Sequence, residues 1–190
     1  MATIFDSQPK PRKGDFLLAE PFMWDPNFKR SVIMLCEHNE EGTFGLVINR
    51  PIDLMLGDVL PELSFFEAQL HYGGPCDQNT LHYLHRCSRH VPDCVNLGNG
   101  IFWGGDFEII KEEMIHGNIK PEDIRFYVGY SGWEGQQLSV ELRDHSWIVT
   151  EGASGYLFED TADGLWRAVL SDMGGEYRLL ANYPEDVAFN

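Results

Sequence analysis

The chain has 190 residues, 43% of them hydrophobic and 13% aromatic, which is enough apolar material for one hydrophobic core and predicts a single domain. Its 30 acidic residues outnumber its 14 basic residues, and the formal net charge is −16 at pH 7. This charge repels phosphate groups, and the basic residues form no cluster, so direct binding to nucleic acid or to an anionic membrane surface is not expected.

The beginning of the chain differs in composition from the rest. Residues 1–13 contain few apolar side chains and two prolines, so we interpret them as a flexible arm before a single domain at residues 14–190. We expect neither a signal peptide nor a transmembrane helix, because no apolar run of the required kind occurs. The four cysteines are therefore interpreted as reduced thiols and the protein as cytoplasmic.

The first third of the chain is predicted to be mainly β-structure. Residues 15–19, 31–36 and 44–48 are nearly continuous apolar runs, as expected for strands that are covered on both faces. The turn residues at 39–42 predict that the second and third strands form a hairpin. A short helix is predicted within residues 53–60, where apolar residues recur at helical spacing before Pro61.

The middle of the chain alternates short strands with one clear helix. Strands are predicted at residues 69–72, 81–84, 95–97 and 101–103. Asn99-Gly100 is a strong hairpin signal between the last two. Asp106 can cap a helix over residues 106–116 that has an apolar stripe and stops at Gly117.

The last third is a mixture of both kinds of element. Strands are predicted at residues 124–130 and 147–150, a helix at residues 162–173 and a final strand at residues 177–180. Residues 136–144 fit either a strand or a helix, because Leu138 and Leu142 satisfy both periods. Without internal repeats or regular βαβ alternation, the sequence predicts one mixed α/β (α+β) domain.

Three glycine-rich segments stand out at residues 42–51, 71–75 and 125–136. Each combines residues that favour a buried strand with glycines that permit a positive φ or a close backbone approach. Together with other segments, they resemble the YqgE/AlgH family of bacterial proteins. The resemblance covers residues 14–21, 28–33, 45–51, 73–75, 81–82, 125–133, 135–136 and 186–190.

The resemblance to this family implies a fold and little about activity. The expected fold is a mixed sheet that branches and curls into a bifurcated pseudo-barrel flanked by helices. The family has no established enzymatic activity, and one branch has been described as a transcriptional regulator. Three places depart from the family pattern: Cys76 after Gly-Gly-Pro, Leu165 before Trp166, and the tail at residues 186–190.

Ligand-binding candidates come from the glycine-rich segments. Arg50 precedes a proline at the end of an apolar strand, where its guanidinium group could bind an anion or pair with one of the many acidic residues. Arg125 allows the same two interpretations. The full set of candidates for a small anionic or aromatic ligand is Asn49, Arg50, Gly73, Gly74, Arg125, Gly129, Tyr130, Ser131 and Trp133.

A second group of candidates consists of thiols and imidazoles at residues 71–94. His85, Cys87, His90 and Cys94 could supply zinc ligands from one loop, although their spacing lacks a C-x2-C knuckle. The alternative is that these are buried small cysteines and solvated histidines. A zinc-stabilised variant is therefore one hypothesis, and the expected state has no metal and no cofactor.

No recognised catalytic arrangement occurs in the sequence. The segment around Ser131 differs from a G-x-S-x-G nucleophile elbow because Trp133 occupies the second glycine position. We therefore expect a non-enzymatic regulatory or protein-interaction module that contacts protein partners through its acidic surface. The alternative is a ligand-binding protein or enzyme that uses Asn49-Arg50 and residues 129–133. The oligomeric state stays open.

Overall fold

The computed structural model describes residues 8–87, 91–159 and 164–184. In these residues the strands are β1 (Asp15–Ala19), β2 (Val32–His38), β3 (Gly42–Val47), β4 (Pro51–Met55), β5 (Gln69–Tyr72), β6 (Cys76–His85), β7 (Val95–Gly98), β8 (Ile101–Trp103), β9 (Ile124–Glu134) and β10 (Trp147–Glu151). The α-helices are α1 (Leu56–Val59), α2 (Phe107–Ile115), α3 (Gln137–Arg143), α4 (Ser154–Phe158), α5 (Leu165–Met173) and α6 (Gly175–Ala181). Short 3-10 turns occur at Pro61–Leu63 and Pro121–Asp123.

The sheet branches at its longest strand, β9. Its main path runs in the order β10-β1-β2-β3-β9-β6-β8-β7. On one edge of β9, residues 131–134 pair antiparallel with β3, and residues 126–128 pair in parallel with β5. β4 extends the second branch by pairing with β5. The sheet is therefore bifurcated, as the family resemblance implied.

Glycines permit this branching. The backbone N–H of Gly73 donates to the Val128 carbonyl at 2.8 Å, and the Gly73 carbonyl accepts from Val47 N–H at 2.9 Å, so Gly73 joins both branches. Gly129 has a φ of +68°. A Cβ atom at Gly129 would lie 2.6 Å from the Gly74 carbonyl oxygen, and one at Gly73 would lie 2.2 Å from the Gly129 carbonyl oxygen. Only glycine fits at this crossing of two backbones.

Gly129 also shifts the side-chain alternation of β9 by one residue. Tyr127 and Tyr130 are three residues apart, which would place them on opposite faces of a regular strand. Both nevertheless belong to the same hydrophobic cluster, whereas Val128 packs in another. The pairing of β6 with β9 is irregular over the same stretch, between Cys76 and Leu81. The kink thus behaves as a β-bulge that redirects every side chain after it.

The sheet curls around one hydrophobic cluster without closing into a barrel. Buried residues of this cluster come from eight strands: Phe16, Met34, Leu46, Leu84, Leu97, Ile101, Tyr127 and Ile148. The two ends of the sheet approach each other at Asn99, whose Nδ2 donates to the Gly152 carbonyl at 2.6 Å. No β-ladder joins β7 to β10 in the described ranges, so the structure is an open sheet.

Helices cover both faces of the sheet. Trp166 and Leu170 of α5 close the inner cluster, and Trp166 Nε1 donates to the Ala19 carbonyl at 2.8 Å. On the outside, Ile110 and Met114 of α2 pack in a second cluster, and Leu138 of α3 packs in a third. The molecule is a single mixed α+β domain, as predicted.

Most predicted elements are confirmed, and one is wrong. The predicted final strand at residues 177–180 is the helix α6, because Tyr177, Leu180 and Ala181 contact the inner cluster at helical spacing. The ambiguous segment at residues 136–144 forms the helix α3. The helix α4 was not predicted from the sequence. The helix predicted within residues 53–60 is one turn long, since β4 extends to Met55.

Other predictions concern the chain ends and the membrane. In the described part of the N-terminal arm, Gln8 hydrogen-bonds the backbone of Trp147 and Val149 in β10. Residues 1–7, the start of the helix predicted from residue 162, and the tail from residue 185 lie outside the described residues. Among the helices that are described, none has both the length and the apolar character needed to cross a membrane.

We predict that Gly129→Ala destabilises the fold by about 3 kcal/mol, because it combines a strained positive φ with contacts to two backbone carbonyls. Gly117→Ala is the matched control: its φ is +73°, but a Cβ atom there meets nothing within 4 Å. The control should lose only about 1 kcal/mol. Urea unfolding at pH 7.5 measures the free energy of unfolding of both variants. Equal decreases in the two variants would show that the backbone crossing at Gly129 is not tightly packed.

Candidate functional site

Asn49 and Arg50 anchor the loop that precedes β2. The Asn49 side chain accepts from Val32 N–H at 2.9 Å and donates to the Arg30 carbonyl at 2.9 Å. The Arg50 guanidinium donates to the carbonyls of Pro26 at 2.9 Å and Lys29 at 2.8 Å. Burial lowers the pKa of Arg50. Its donors therefore hold backbone carbonyls, and neither an anion nor an acidic side chain is needed to explain its position.

The other predicted residues do not meet Arg50 in one pocket. Arg125 lies at the start of β9 and donates to the carbonyls of Pro121 and Phe158, each at 3.1 Å. Ser131 is fully buried, and its hydroxyl donates to the Gly73 carbonyl at 3.2 Å. Gly73, Gly74 and Gly129 form the backbone crossing described above. Of the predicted set, Tyr130 and Trp133 are the two that line a surface cleft.

This cleft has a volume of about 380 Å³ and lies where the β2–β3 hairpin meets the end of β9. Its lining consists of Glu37, Asn39, Glu41, Gly42, Thr43, Phe44, Cys76, Tyr130, Gly132, Trp133 and Glu134. The register explains the opening, because Phe44 pairs with Gly132 and thus faces a residue without a side chain. The size falls in the range of small-molecule and side-chain binding sites.

Stacked aromatic rings form the floor of the cleft. The Phe44 ring stacks on Tyr130, with 4.6 Å between centroids and 22° between planes. On the other side it stacks on Trp103 at 4.8 Å and 29°. His82 contacts both Phe44 and Tyr130 edge-on, at 5.1 Å and 5.8 Å. These four rings define what we call the aromatic ladder.

Trp133 connects the cleft to the core. Its indole Nε1 donates to Glu141 Oε2 at 2.8 Å, and Trp147 Nε1 donates to the same oxygen at 2.7 Å. The Trp133 ring also stacks on Phe28 at 6.4 Å. The Trp133 side chain is 4% exposed, and its only N–H donates to this carboxylate, so its role is mainly structural.

The rim of the cleft is acidic. Glu37, Glu41 and Glu134 come from β2, the hairpin turn and β9, and all three are exposed. Asn39 organises the turn by donating to Glu37 Oε1 at 3.0 Å and accepting from Glu41 N–H at 2.8 Å. No lysine or arginine belongs to the described lining, and no ion pair in the described part of the chain involves these glutamates. The cleft therefore favours a cation over the anion that the arginines suggested.

Most residues of this site are not among the ligand candidates that the sequence indicates. Tyr130 and Trp133 are among those candidates, whereas Phe44, Glu41 and Glu134 are not. The sequence predicts Phe44 only as part of a strand and Glu41 only as part of a turn, although Phe44 lies in the glycine-rich segment at residues 42–51. A signal was present, because an aromatic residue between two glycines in a strand has open space beside it.

The predicted zinc ligands are engaged elsewhere or lie outside the described residues. His85 is buried, with Nε2 hydrogen-bonded to the Gly104 carbonyl at 2.9 Å and Nδ1 accepting from Cys87 N–H at 3.2 Å, so both ring nitrogens are used. Burial and the nearby Asp123 raise the pKa of Cys87 to about 11. Cys94 packs beside the second hydrophobic cluster, and His90 is not among the described residues. Among the residues that are described, no group of three metal-ligating side chains converges.

Comparison with known proteins agrees with the fold and the motifs. A family model described as DUF179: AlgH-like matches residues 16–178. A UPF0301 protein of Cytophaga hutchinsonii is 41% identical over 94% of this chain and 98% of its own length. A UPF0301 protein of Bacteroides fragilis is 39% identical over 95% of this chain and 92% of its own length. The chain belongs to the AlgH-like (UPF0301) family, which confirms the resemblance seen in the sequence.

Solved structures show the same architecture. The solution structure of the AlgH protein from Pseudomonas aeruginosa is similar with a TM-score of 0.71 and 30% identity, covering 95% of this chain and 99% of that one. A crystal structure of a protein from Corynebacterium diphtheriae has a TM-score of 0.80 over 93% of this chain and 94% of that one. At 24% identity, the second similarity shows the fold alone.

Three buried or half-buried histidines of the sheet, His71, His82 and His85, predict that the stability of the fold depends on pH. Burial, with a smaller contribution from the positive charge of Arg125, lowers the pKa of His71 to about 4. The unfolded chain binds this proton near pH 6.5 and the folded chain only near pH 4, so stability falls as the pH falls through that window. Burial also lowers the pKa of His82 and His85.

We predict that His71→Phe reduces the stability lost between pH 7.5 and pH 5 by about 1–2 kcal/mol, as measured by urea unfolding. His116→Gln, at an exposed position, is the control and should keep the wild-type pH dependence. A His71 variant with the full wild-type loss would show that this imidazole does not resist protonation.

Proposed function

We propose that this protein is a non-enzymatic interaction module that binds a positively charged segment of a protein partner in the acidic cleft. The observation that carries the proposal is the cleft itself: three exposed carboxylates surround an aromatic floor, and no basic side chain in the described lining neutralises them. A lysine or arginine side chain would supply the missing charge.

The charge of the whole molecule supports the same conclusion. A net charge of −16 attracts basic partners over a distance limited by salt, about 8 Å at physiological ionic strength. Glu37, Glu41 and Glu134 concentrate part of this negative charge at the rim of the cleft. Complementary charge of this kind accelerates association and selects partners more than it strengthens binding.

The openness of the cleft favours binding over catalysis. Electrostatic catalysis depends on polar groups that are fixed in a site from which water is excluded. Glu37, Glu41 and Glu134 are exposed and remain hydrated, so their field is screened. The cleft is therefore suited to reversible recognition.

Two expectations from the sequence belong to this proposal. We expect the protein to act in the cytoplasm, where its cysteines stay reduced. A regulatory role, of the kind implied by one branch of the resemblance, would be exercised through a protein partner, because the negative charge repels DNA.

The test uses the peptide acetyl-Lys-Gly-Lys-Gly-Lys-amide as a probe and NMR chemical-shift titration as the measurement. We predict shifts at residues around the cleft and a Kd that rises when NaCl is increased from 50 to 500 mM. The double variant Glu41→Gln/Glu134→Gln should weaken binding about fivefold, since two exposed charges contribute roughly 0.5 kcal/mol each.

The control removes the same charge elsewhere. Glu62→Gln/Glu67→Gln changes two exposed glutamates outside the lining and should leave the Kd within about twofold. If both double variants weaken binding of the peptide equally, the net charge of the protein and not the cleft determines the affinity, which would contradict the proposal. A peptide that shifts no resonance at the cleft would also overturn the proposal.

A further inference from the structure

Two rings of the aromatic ladder line the cleft. Tyr130 and Phe44 line the cleft, and Trp103 stacks on Phe44 outside the lining. All three rings are half-buried, so they are neither hidden in the core nor free to rotate in solvent. Strands β3, β8 and β9 each supply one ring, which fixes the stack on a rigid scaffold.

Space beside Tyr130 is kept open by a glycine. A Cβ atom at Gly132 would lie 3.2 Å from Tyr130 Cε2 and 3.9 Å from the Cys76 sulfur. Any other residue at this position would press against the ring edge. Because Gly132 is exposed, the region next to the Tyr130 ring is reached from solvent.

Carboxylates approach the same region from separate segments. Glu134 follows Gly132 and Trp133 on β9, and Glu41 lies in the hairpin turn opposite, since Gly42 pairs with Glu134. The Gly135 N–H donates to the Glu41 carbonyl at 3.0 Å, which ties the two segments together. An aromatic ring and two carboxylates therefore border one space.

We infer that the cleft selects an arginine side chain over a lysine side chain, an inference that rests on the proposed function. A guanidinium group is planar, stacks on aromatic faces and donates a fork of hydrogen bonds to carboxylates. An ammonium group is a compact point charge that gains the attraction to the glutamates but not the flat contact with the ring. The combination of ladder, glycine and carboxylates matches the guanidinium.

The experiment compares three probes: acetyl-Gly-Arg-Gly-amide, acetyl-Gly-Lys-Gly-amide and acetyl-Gly-Glu-Gly-amide. Binding is followed by NMR titration of the full chain at low salt. We expect the arginine peptide to bind about fivefold more tightly than the lysine peptide, and the glutamate peptide to cause no shift at the cleft.

Substitution of the ring separates stacking from charge. Tyr130→Leu should remove the preference for arginine while the lysine peptide keeps its Kd, and Tyr130→Phe should retain the preference because the aromatic face remains. Phe65→Leu changes an exposed ring outside the lining and should leave both affinities unchanged. Retained binding of the lysine peptide by Tyr130→Leu also demonstrates that this variant is folded.

The outcomes distinguish the inference from the proposed function. Equal binding of the arginine and lysine peptides would overturn the arginine inference and leave the acidic cleft as a general cation site. A preference for arginine that survives Tyr130→Leu would also overturn it. Failure of both cationic peptides to bind would overturn the inference and the proposed function together.

Discussion

The close approach of two backbone segments, at Gly73-Gly74 and at Gly129, is the constraint on which the rest of the structure depends. At this point β9 changes partner from β5 to β3, and the Gly73 backbone hydrogen-bonds to both branches. Cβ atoms at Gly73 and Gly74 would each lie 2.2 Å from backbone atoms of β9. A side chain at either position would push the two branches of the sheet apart.

The same crossing determines the shape of the candidate site. Because Gly129 shifts the alternation of β9, Tyr130 faces the inner side of the sheet and reaches Phe44. In a regular strand it would face the opposite side, and the ladder would lose its end ring. The motif that makes the sheet branch therefore also builds the aromatic floor, so fold and site share one sequence signature. For this reason the glycine-rich segments can mark the family without each being a binding loop.

Local pattern predicted much of the fold but little of the site. The sequence predicts the strands at residues 15–19 and 44–48 and the helix at 106–116 because their periodicity and caps are local signals. The strand predicted at residues 177–180 is wrong because four residues are too few to distinguish the period of a strand from that of a helix. The sequence leaves open whether Arg50 and Arg125 bind an anion or pair with an acidic residue. The carbonyls that Arg50 contacts belong to Pro26 and Lys29, 24 and 21 residues away, and no local pattern reveals them. Phe44 and Glu134 line the same cleft because of the register between β3 and β9, which no local pattern encodes.

The proposed function requires that the cleft between the β2–β3 hairpin and the end of β9 receives a cationic side chain. A crystal structure of the full chain grown with acetyl-Gly-Arg-Gly-amide tests it most directly. We expect density for the guanidinium group against the Tyr130 ring, within hydrogen-bond distance of the Glu41 or Glu134 carboxylate. Peptide density at another surface, with the cleft filled by solvent alone, would contradict it.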